Sequence, residues 1–484
     1  MDAEAVTRLD VRLVPAALAA WAVTAAGILW PVGIPLAAGC LVVAIIAAVT
    51  GWRRGGTVIG ISAAAVAGTA VLGAGFAAAV ALRSDAVREH PLSHQFGTTS
   101  SLTVTLTESP RSLGNGRLMF PANIELLDIT ESSGRVVVFA PVLGFAELSA
   151  GQPVRFRARI SRPSRRDLTV AVLNVSGEPV FGDASRIQRA AQVVRSRFAA
   201  AARKVLPVDQ AAILPGLVLG DTSSITTTTT AEFRTAGLTH LTAVSGANVT
   251  IVCGTVLWCA RWIGPRPAVA LAAVALAAFV VVVQPGASVL RAAVMGALAL
   301  LAVLCGRRRQ AIPALSAAVL ALLVFAPQLA VDVGFALSVS ATAALVILAP
   351  VWSARLVARG WPVPLADAVS IALAAQLVTA PLVAAISGRF SLVAVLANLA
   401  VAVAIPPITV LGTAAAALCP LWPPGAGLLI RFTGPELWWL LHVAHWADAL
   451  PGAALSVPSG PAGAATVGGV TAAGAGLWWW IRRW

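Results

Sequence analysis

Residues 231–252 read AEFRTAGLTHLTAVSGANVTIV. The stretch opens on Glu232, Arg234, His240 and the small pair Ser245-Gly246, then runs without a break into apolar sequence. A segment that only had to cross lipid would shed those polar side chains, because each is costly in hydrocarbon. Their place at the mouth of an apolar run points to a membrane fold with a path for something polar.

Composition agrees. Of 484 residues, 58% are hydrophobic and 11% charged, against roughly 25% charged in soluble domains. Mean hydropathy is +0.86, which places the chain among polytopic α-helical membrane proteins. Net charge is +14, carried by arginine with a single lysine, Lys204. Such basicity suits anionic lipid at the cytoplasmic face, a nucleic-acid partner, or both. Cys40, Cys253, Cys259, Cys305 and Cys419 all lie in apolar segments without CxxC spacing, which argues against a disulfide-stapled external domain. The first apolar run is followed directly by others and reads as a retained span.

Four regions follow along the chain. Residues 1–84 carry three apolar runs, near 11–30, 32–50 and 57–82, each close to the ~20 residues that cross hydrocarbon. Arg8, Arg12 and the basic loop 51–56 place the N-terminus in the cytoplasm and the next region outside. Residues 85–185 alternate apolar and polar in five stretches, 101–109, 125–130, 135–141, 153–161 and 168–175, separated by turns such as 113–117 and 132–134. This predicts an inserted small antiparallel β-barrel or sandwich, of which an OB-like barrel fits the strand count. Residues 186–206 predict a helix with Ile187, Ala190/Ala191, Val194 and Phe198 on one face. Arg189, Arg195, Arg197, Arg203 and Lys204 fall on the others. It reads as a cationic helix on the membrane surface or as a nucleic-acid contact. Residues 207–484 return to membrane sequence, with candidate spans near 238–260, 267–283, 287–305, 311–326, 333–350, 366–387, 391–418, 425–447 and 463–481. Arg261/Arg266, Arg307–309, Arg355/Arg359 and Arg482/Arg483 fall on one side, and 284–287, 326–332 and 451–461 on the other, with Arg389 the exception. The expectation is about twelve spans with both termini cytoplasmic. The segment around 438–449, with Glu436, His442, His445 and Asp448 nearby, alternatively lies flat at the surface.

Several motifs in this last region resemble a known family. Leu214-Pro215-Gly216-Leu217-Val218-Leu219-Gly220-Asp221 is followed by Phe233-Arg234-x-x-Gly237-Leu238-Thr239-His240-Leu241-x-x-Val244-Ser245-Gly246-x-Asn248-Val249 and by Ser288-Val289-Leu290-Arg291-Ala292-Ala293-Val294-Met295. Then come Asp332-x-Gly334-Phe335-x-Leu337-Ser338, Gln376-Leu377-x-Thr379-x-Pro381, and Phe390-Ser391 with Asn398-Leu399 and Pro406-Pro407. In that order they resemble the ComEC competence family over about 210–460, and the leading spans and β-domain fit its layout. The resemblance implies an inner-membrane channel importing single-stranded DNA during natural transformation, working with a DNA receptor and a cytoplasmic helicase. Many members end in a metallo-β-lactamase-like domain. This chain stops at Trp484 and has no HxHxDH motif, so the expectation is a non-enzymatic short form, with any nuclease supplied separately. Asn248 stands where the family commonly has His.

Two sets of residues are candidates for the path. Arg155, Arg157 and Arg159 project from one face of a strand by their period of two, and Arg162, Arg165 and Arg166 extend the cluster. Such a face can track phosphates or simply be solvated, while Phe139 and Phe156 are expected in the core. Arg234, His240, Ser245, Asn248, Arg291, Asp332, Gln376 and Asn398 are the expected channel-lining groups. Arg291 alternatively snorkels, Asp332 caps the following helix, and Gln376 and Asn398 bond neighbouring helices. Ser245 lacks a GxSxG elbow, and His442 and His445 have no further ligand nearby, so neither a catalytic residue, a metal site nor a cofactor is expected. The competing function is a secondary transporter or lipid/solute permease with a structural β-domain, since Pro/Gly-broken spans also mark transporter sites. A membrane hydrolase is the third.

Overall fold

The computed structural model describes residues 10–54, 58–108, 110–127, 130–145, 148, 150–242, 244, 246–284, 286–304 and 311–481. The chain divides into two units. One comprises residues up to Gln192 with the segments Gln284–Ala302 and Gly306–Asp332; the other takes the rest.

The first unit begins with α1 (Val14–Leu29), α2 (Gly33–Arg53) and α3 (Val58–Arg88). Polar contacts inside this apolar bundle go to carbonyls at helix ends. Arg83 donates to the Val324 carbonyl at 3.1 Å and Trp21 Nε1 to that of Ala330 at 2.8 Å.

Seven strands follow: β1 (Thr99–Leu106), β2 (Arg111–Gly114), β3 (Arg117–Leu127), β4 (Thr130–Glu131), β5 (Arg135–Pro141), β6 (Pro153–Ser161) and β7 (Ala171–Phe181). Five of them close a barrel in the order β1-β6-β7-β5-β3, with β3 pairing back to β1. This decides for a barrel over a sandwich. It also corrects the expected all-antiparallel pairing, because β5 and β7 run parallel. The expected strand at 125–130 starts earlier, at Arg117, after a tight hairpin. Asn115 (φ 51°) and Gly116 (φ 71°) take the left-handed conformations that a two-residue hairpin turn requires. A register shift between Thr103 and Val104 lets β1 coil so that it can serve both neighbours. Alternate residues fill the interior, among them Leu102, Phe120, Val138, Phe156, Ile160 and Leu173.

The unit is completed by α9 (Ala287–Leu304) and α10 (Ala311–Phe325), whose residues fall largely within it. The second unit takes its first helix from α4 (Arg186–Val205), which crosses the division. It continues with α5 (Val208–Leu219), α6 (Thr227–Thr235), α7 (Gly246–Cys259), α8 (Pro265–Val283), α11 (Val333–Val357), α12 (Val363–Ser387), α13 (Ala394–Val401), α14 (Ile405–Leu418), α15 (Pro423–Phe432), α16 (Gly434–Ala449) and α17 (Pro461–Ile481). A short ladder pairs β8 (Arg389–Ser391) with β9 (Ala454–Ser456). At the centre lies α5, with every residue from Ile213 to Leu219 buried.

Among the described residues six helical segments are long and apolar enough to cross a membrane, or seven if α13 and α14, bent by 54°, count as one. The sequence led to about twelve. Two of the missing spans, α1 and α10, have only 16 and 15 residues, short of the ~20 that cross hydrocarbon without accommodation. The run 425–447 is not one helix. It breaks at Thr433, whose hydroxyl turns back to the Ile430 carbonyl at 2.7 Å, and Pro435 starts α16.

His90, between α3 and β1, joins helix bundle to barrel. Its Nδ1 accepts from the Leu92 backbone N–H at 3.2 Å, and its Nε2 lies 3.0 Å from Ser132 Oγ. Burial pushes the imidazole below its ordinary value, against a smaller raising effect from the Ser133 backbone. The folded chain therefore resists a proton that the unfolded chain accepts, so this contribution to stability is lost as pH falls through the unfolded value near ~6.5. The thermal midpoint of the detergent-purified protein should fall between about pH 7 and pH 5, and His90→Asn should flatten that dependence. An unchanged pH profile in His90→Asn would show that the junction does not titrate.

Candidate functional site

On β6 the alternation is strict. Val154, Phe156, Ala158 and Ile160 point inward, while Arg155, Arg157 and Arg159 are exposed on the outer wall. Their register neighbours are Thr103, Ser101 and Thr99 on β1, and Val180, Ser176 and Asn174 on β7. The arginines thus form a ladder between two strands with mostly short polar side chains, and Arg155 Nε donates to Ser101 Oγ at 3.2 Å. Arg162 stacks 5.5 Å over Phe96. An open groove runs beside it, lined by Phe96, Arg159, Ser161, Arg162 and Asn174.

Sequence reasoning missed one member of this face. Arg117 reaches Asn174 Oδ1 at 3.3 Å and lies 5.7 Å over the Phe139 ring. Phe139 was expected in the core; it is half-buried on the outer wall, because Val136, Val138 and Ala140 take the inward positions. Phe156 is in the core as expected. The sixth predicted arginine departs from the set. Arg166 donates to the Leu29 carbonyl at 2.8 Å, at the end of α1, so it serves as an anchor while Arg165 stays exposed.

In the second unit the motif residues gather around α6. Thr226 caps this helix by accepting from the Thr229 N–H at 3.1 Å. Glu232 pairs with His445 Nδ1 at 3.0 Å. Ser391 donates to the Thr235 carbonyl at 2.6 Å, and Asn398 donates to the carbonyls of Ala394 at 2.8 Å and Gly237 at 3.5 Å. Gly237 has φ 71°, and a Cβ there would lie 2.5 Å from Ala394 Cβ, so the motif glycine lets the turn after α6 rest on α13. Beside this knot lies an open groove lined by Thr235, Arg389, Asp448 and Ser456. The β8–β9 ladder accounts for Arg389, the exception in the loop charges, by pairing it with the 451–461 loop. Arg234 and His240 are exposed here. Asn398 is spent on backbone carbonyls, so it ties α13 to the turn after α6. His442 does not join His445; its ring stacks 3.9 Å from Trp438.

Asn248, expected to line the path, is held by backbone. It is buried and its amide donates to the Leu217 carbonyl at 3.1 Å, one of the free carbonyls in the last turn of α5. Arg195 serves the same end. It is buried on α4, with Nη1 3.0 Å from the Leu219 carbonyl and 3.1 Å from that of Val282, and Nη2 3.7 Å from Asp221. Burial lowers the guanidinium pKa, and Asp221 acts against that shift. The helical repeat had put Arg195 on an outer face of α4. The inner stripe is instead Ala191, Arg195, Phe198 and Ala202, with Ile187 exposed, because the ends of α5 and α8 need its donors.

The remaining candidates lie elsewhere. Arg291 is 5% exposed on α9, its Nη1 3.5 Å from Met295 Sδ. Asp332 is exposed just before α11. Gln376 is half-buried midway along α12. Ser245 falls outside the described residues. Among those described, no group of three or more His, Cys, Asp or Glu side chains could hold a metal ion.

A family model described as Competence protein matches residues 217–483. The chain belongs to the Competence family. No curated protein and no solved structure matches it. The Competence region holds the whole α6 knot, Asn248, Arg291 and Gln376, whereas the barrel ladder and Arg195 precede it.

Asn248→Ala should destabilise the protein by about 1–3 kcal/mol, because a buried carbonyl loses its donor. Arg195→Ala should cost about 3–5 kcal/mol by leaving Asp221 and the two helix ends uncompensated. Thiol-reagent access to buried Cys253 and Cys419 on heating reads both. Equal protection in Arg195→Ala and the parent would remove the capping role.

Proposed function

We propose that this protein is a channel subunit of the cytoplasmic (inner) membrane that imports single-stranded DNA during natural transformation. The observation that carries this reading is the exposed ladder Arg155, Arg157 and Arg159 on a closed barrel attached to a Competence membrane region. Guanidinium groups engage phosphates through paired donors and also lie flat on bases. Phe96 under Arg162 and Phe139 under Arg117 add half-exposed rings beside the ladder, and aromatic faces stack bases without regard to sequence. The barrel is then the receiving surface. The knot around Glu232, Thr235, Ser391 and His445 frames the mouth, with Arg234 and His240 open to the strand. Gln376 in α12 and Arg291 in α9 each offer a polar group within an apolar helix.

The chain holds and conducts the strand and has no catalytic part in this scheme. A separate receptor delivers DNA, and a separate nuclease and cytoplasmic helicase process or pull it. The bent α13–α14 pair and Pro381 within α12 also fit a permease with discontinuous helices. Such a permease has no use for the arginine ladder, which separates the two readings.

Replacing Arg155, Arg157 and Arg159 together with Ala in the full chain should weaken oligonucleotide binding. It should also flatten the salt dependence by about 0.7 for each phosphate no longer neutralised. Unchanged affinity and slope would detach the barrel from DNA. For Arg291, the Lys variant should keep part of the DNA uptake and the Gln variant should lose most of it, at equal membrane abundance, because a point charge still attracts phosphate. Normal uptake by Arg291→Gln would exclude this residue from the path.

A further inference from the structure

Between barrel and channel motifs lies α4, whose two faces have opposite characters. The inward stripe, Ala191, Arg195, Phe198 and Ala202, is buried against protein and held by the Arg195 contacts to the ends of α5 and α8. Arg195 and Leu219 each stand twelve residues from Pro207, about 18 Å of helix apiece. Their contact at 3.0 Å therefore means that α4 folds back toward α5 about Pro207. The outward face carries Arg186, Arg189, Arg197, Arg203 and Lys204, all exposed. No acid occurs between Asp183 and Asp209, and among the described residues none of the five cations forms an ion pair. Arg197 also touches the Pro420 carbonyl at 3.2 Å. Arg189, Val193 and Arg197 stand four residues apart, so they share one line along the helix, with Val193 41% exposed between the two cations.

A helix that settles on a bilayer does so by sinking its apolar stripe among the acyl chains. Here that stripe is already occupied by protein. What remains outward is a cationic track about 27 Å long from Arg186 to Lys204, complementary to a polyanion, with Ile187 and Val193 as its large exposed apolar side chains. We infer that the outward face of α4 is a second nucleic-acid contact, which binds the sugar-phosphate backbone of a single strand independently of the barrel ladder. This rests on the reading that the chain handles DNA. It adds a site whose chemistry is purely electrostatic, in contrast to the ring-lined barrel face.

The test uses the full chain in nanodiscs of zwitterionic lipid. A photo-crosslinking side chain at Val193 should capture a fluorescent single-stranded oligonucleotide, and the product should fade with added salt. The same group at Val274, exposed on α8, should capture none. Changing Arg186, Arg189, Arg203 and Lys204 together to Gln should lower the steepness of the salt dependence by about 0.7 per phosphate released from the helix. Cys253 protection should stay as in the parent, since all four side chains are exposed. No crosslink at Val193 together with an unchanged salt slope overturns the inference while leaving the barrel reading intact. A variant that binds the oligonucleotide normally but no longer associates with anionic phosphatidylglycerol vesicles also overturns it, and makes the face a lipid contact. A parent chain that binds no oligonucleotide at all defeats the broader DNA reading and this one with it.

Discussion

Arginine side chains at the ends of helices hold this structure together. A helix leaves its last carbonyls without partners, and in an apolar setting no water is at hand to satisfy them. This chain answers with guanidinium groups from elsewhere. Arg195 serves α5 and α8, Arg83 serves α10, Arg166 serves α1, and Arg197 reaches Pro420 just past α14. A guanidinium offers five donors in a planar fork and keeps its charge on burial far better than an ammonium. Of the 34 basic residues, the one lysine, Lys204, has no such role, and all four of these groups are arginines. Net charge therefore overstates the free positive surface, since several of these cations are consumed by backbone.

Against that background the arginines with no such duty stand out. Arg157 and Arg159 on the barrel, and Arg186, Arg189 and Arg203 on α4, are exposed and cap no helix. Barrel closure makes the first group possible. With the hydrophobic set inside and no open edge among the five barrel strands, the outer wall can carry repelling cations while the core supplies stability. Core packing and exposed charge sit on alternate residues of the same strand.

Much of this was legible in the chain. The period of two in 153–161 gave both the core residues and the outward arginines, because a strand's geometry leaves a side chain only two directions. The membrane class followed from composition. Other features were not legible, for identifiable reasons. Arg195 looked like a surface cation because periodicity cannot see the carbonyls that α5 and α8 bring to it. The Leu217 carbonyl that Asn248 serves was hidden for the same reason. Phe139 was misplaced although its neighbours Val136, Val138 and Ala140 already claimed the inward positions; strict counting along the strand would have exposed it. Glu232 and His445 are 213 positions apart, and no local signal joins them. About twelve spans were expected where six or seven helical segments among the described residues are long and apolar enough, in part because a run such as 425–447 hides a break that one Thr-Gly-Pro sequence imposes.

The parallel pairing of β5 with β7 carries a consequence for biogenesis. β1 must find β6 some fifty residues later, and β5 must wait for β7, the last barrel strand made. Until then β1 and β5 present unpaired edges, the kind of surface that invites association with other chains. Non-local closure of this sort is slow compared with helix formation. The strand that completes the barrel runs, after four residues, straight into α4. As the ribosome delivers the chain, closure therefore coincides with the arrival of the helix that Arg195 locks in place, and the order of synthesis is itself a schedule for assembly.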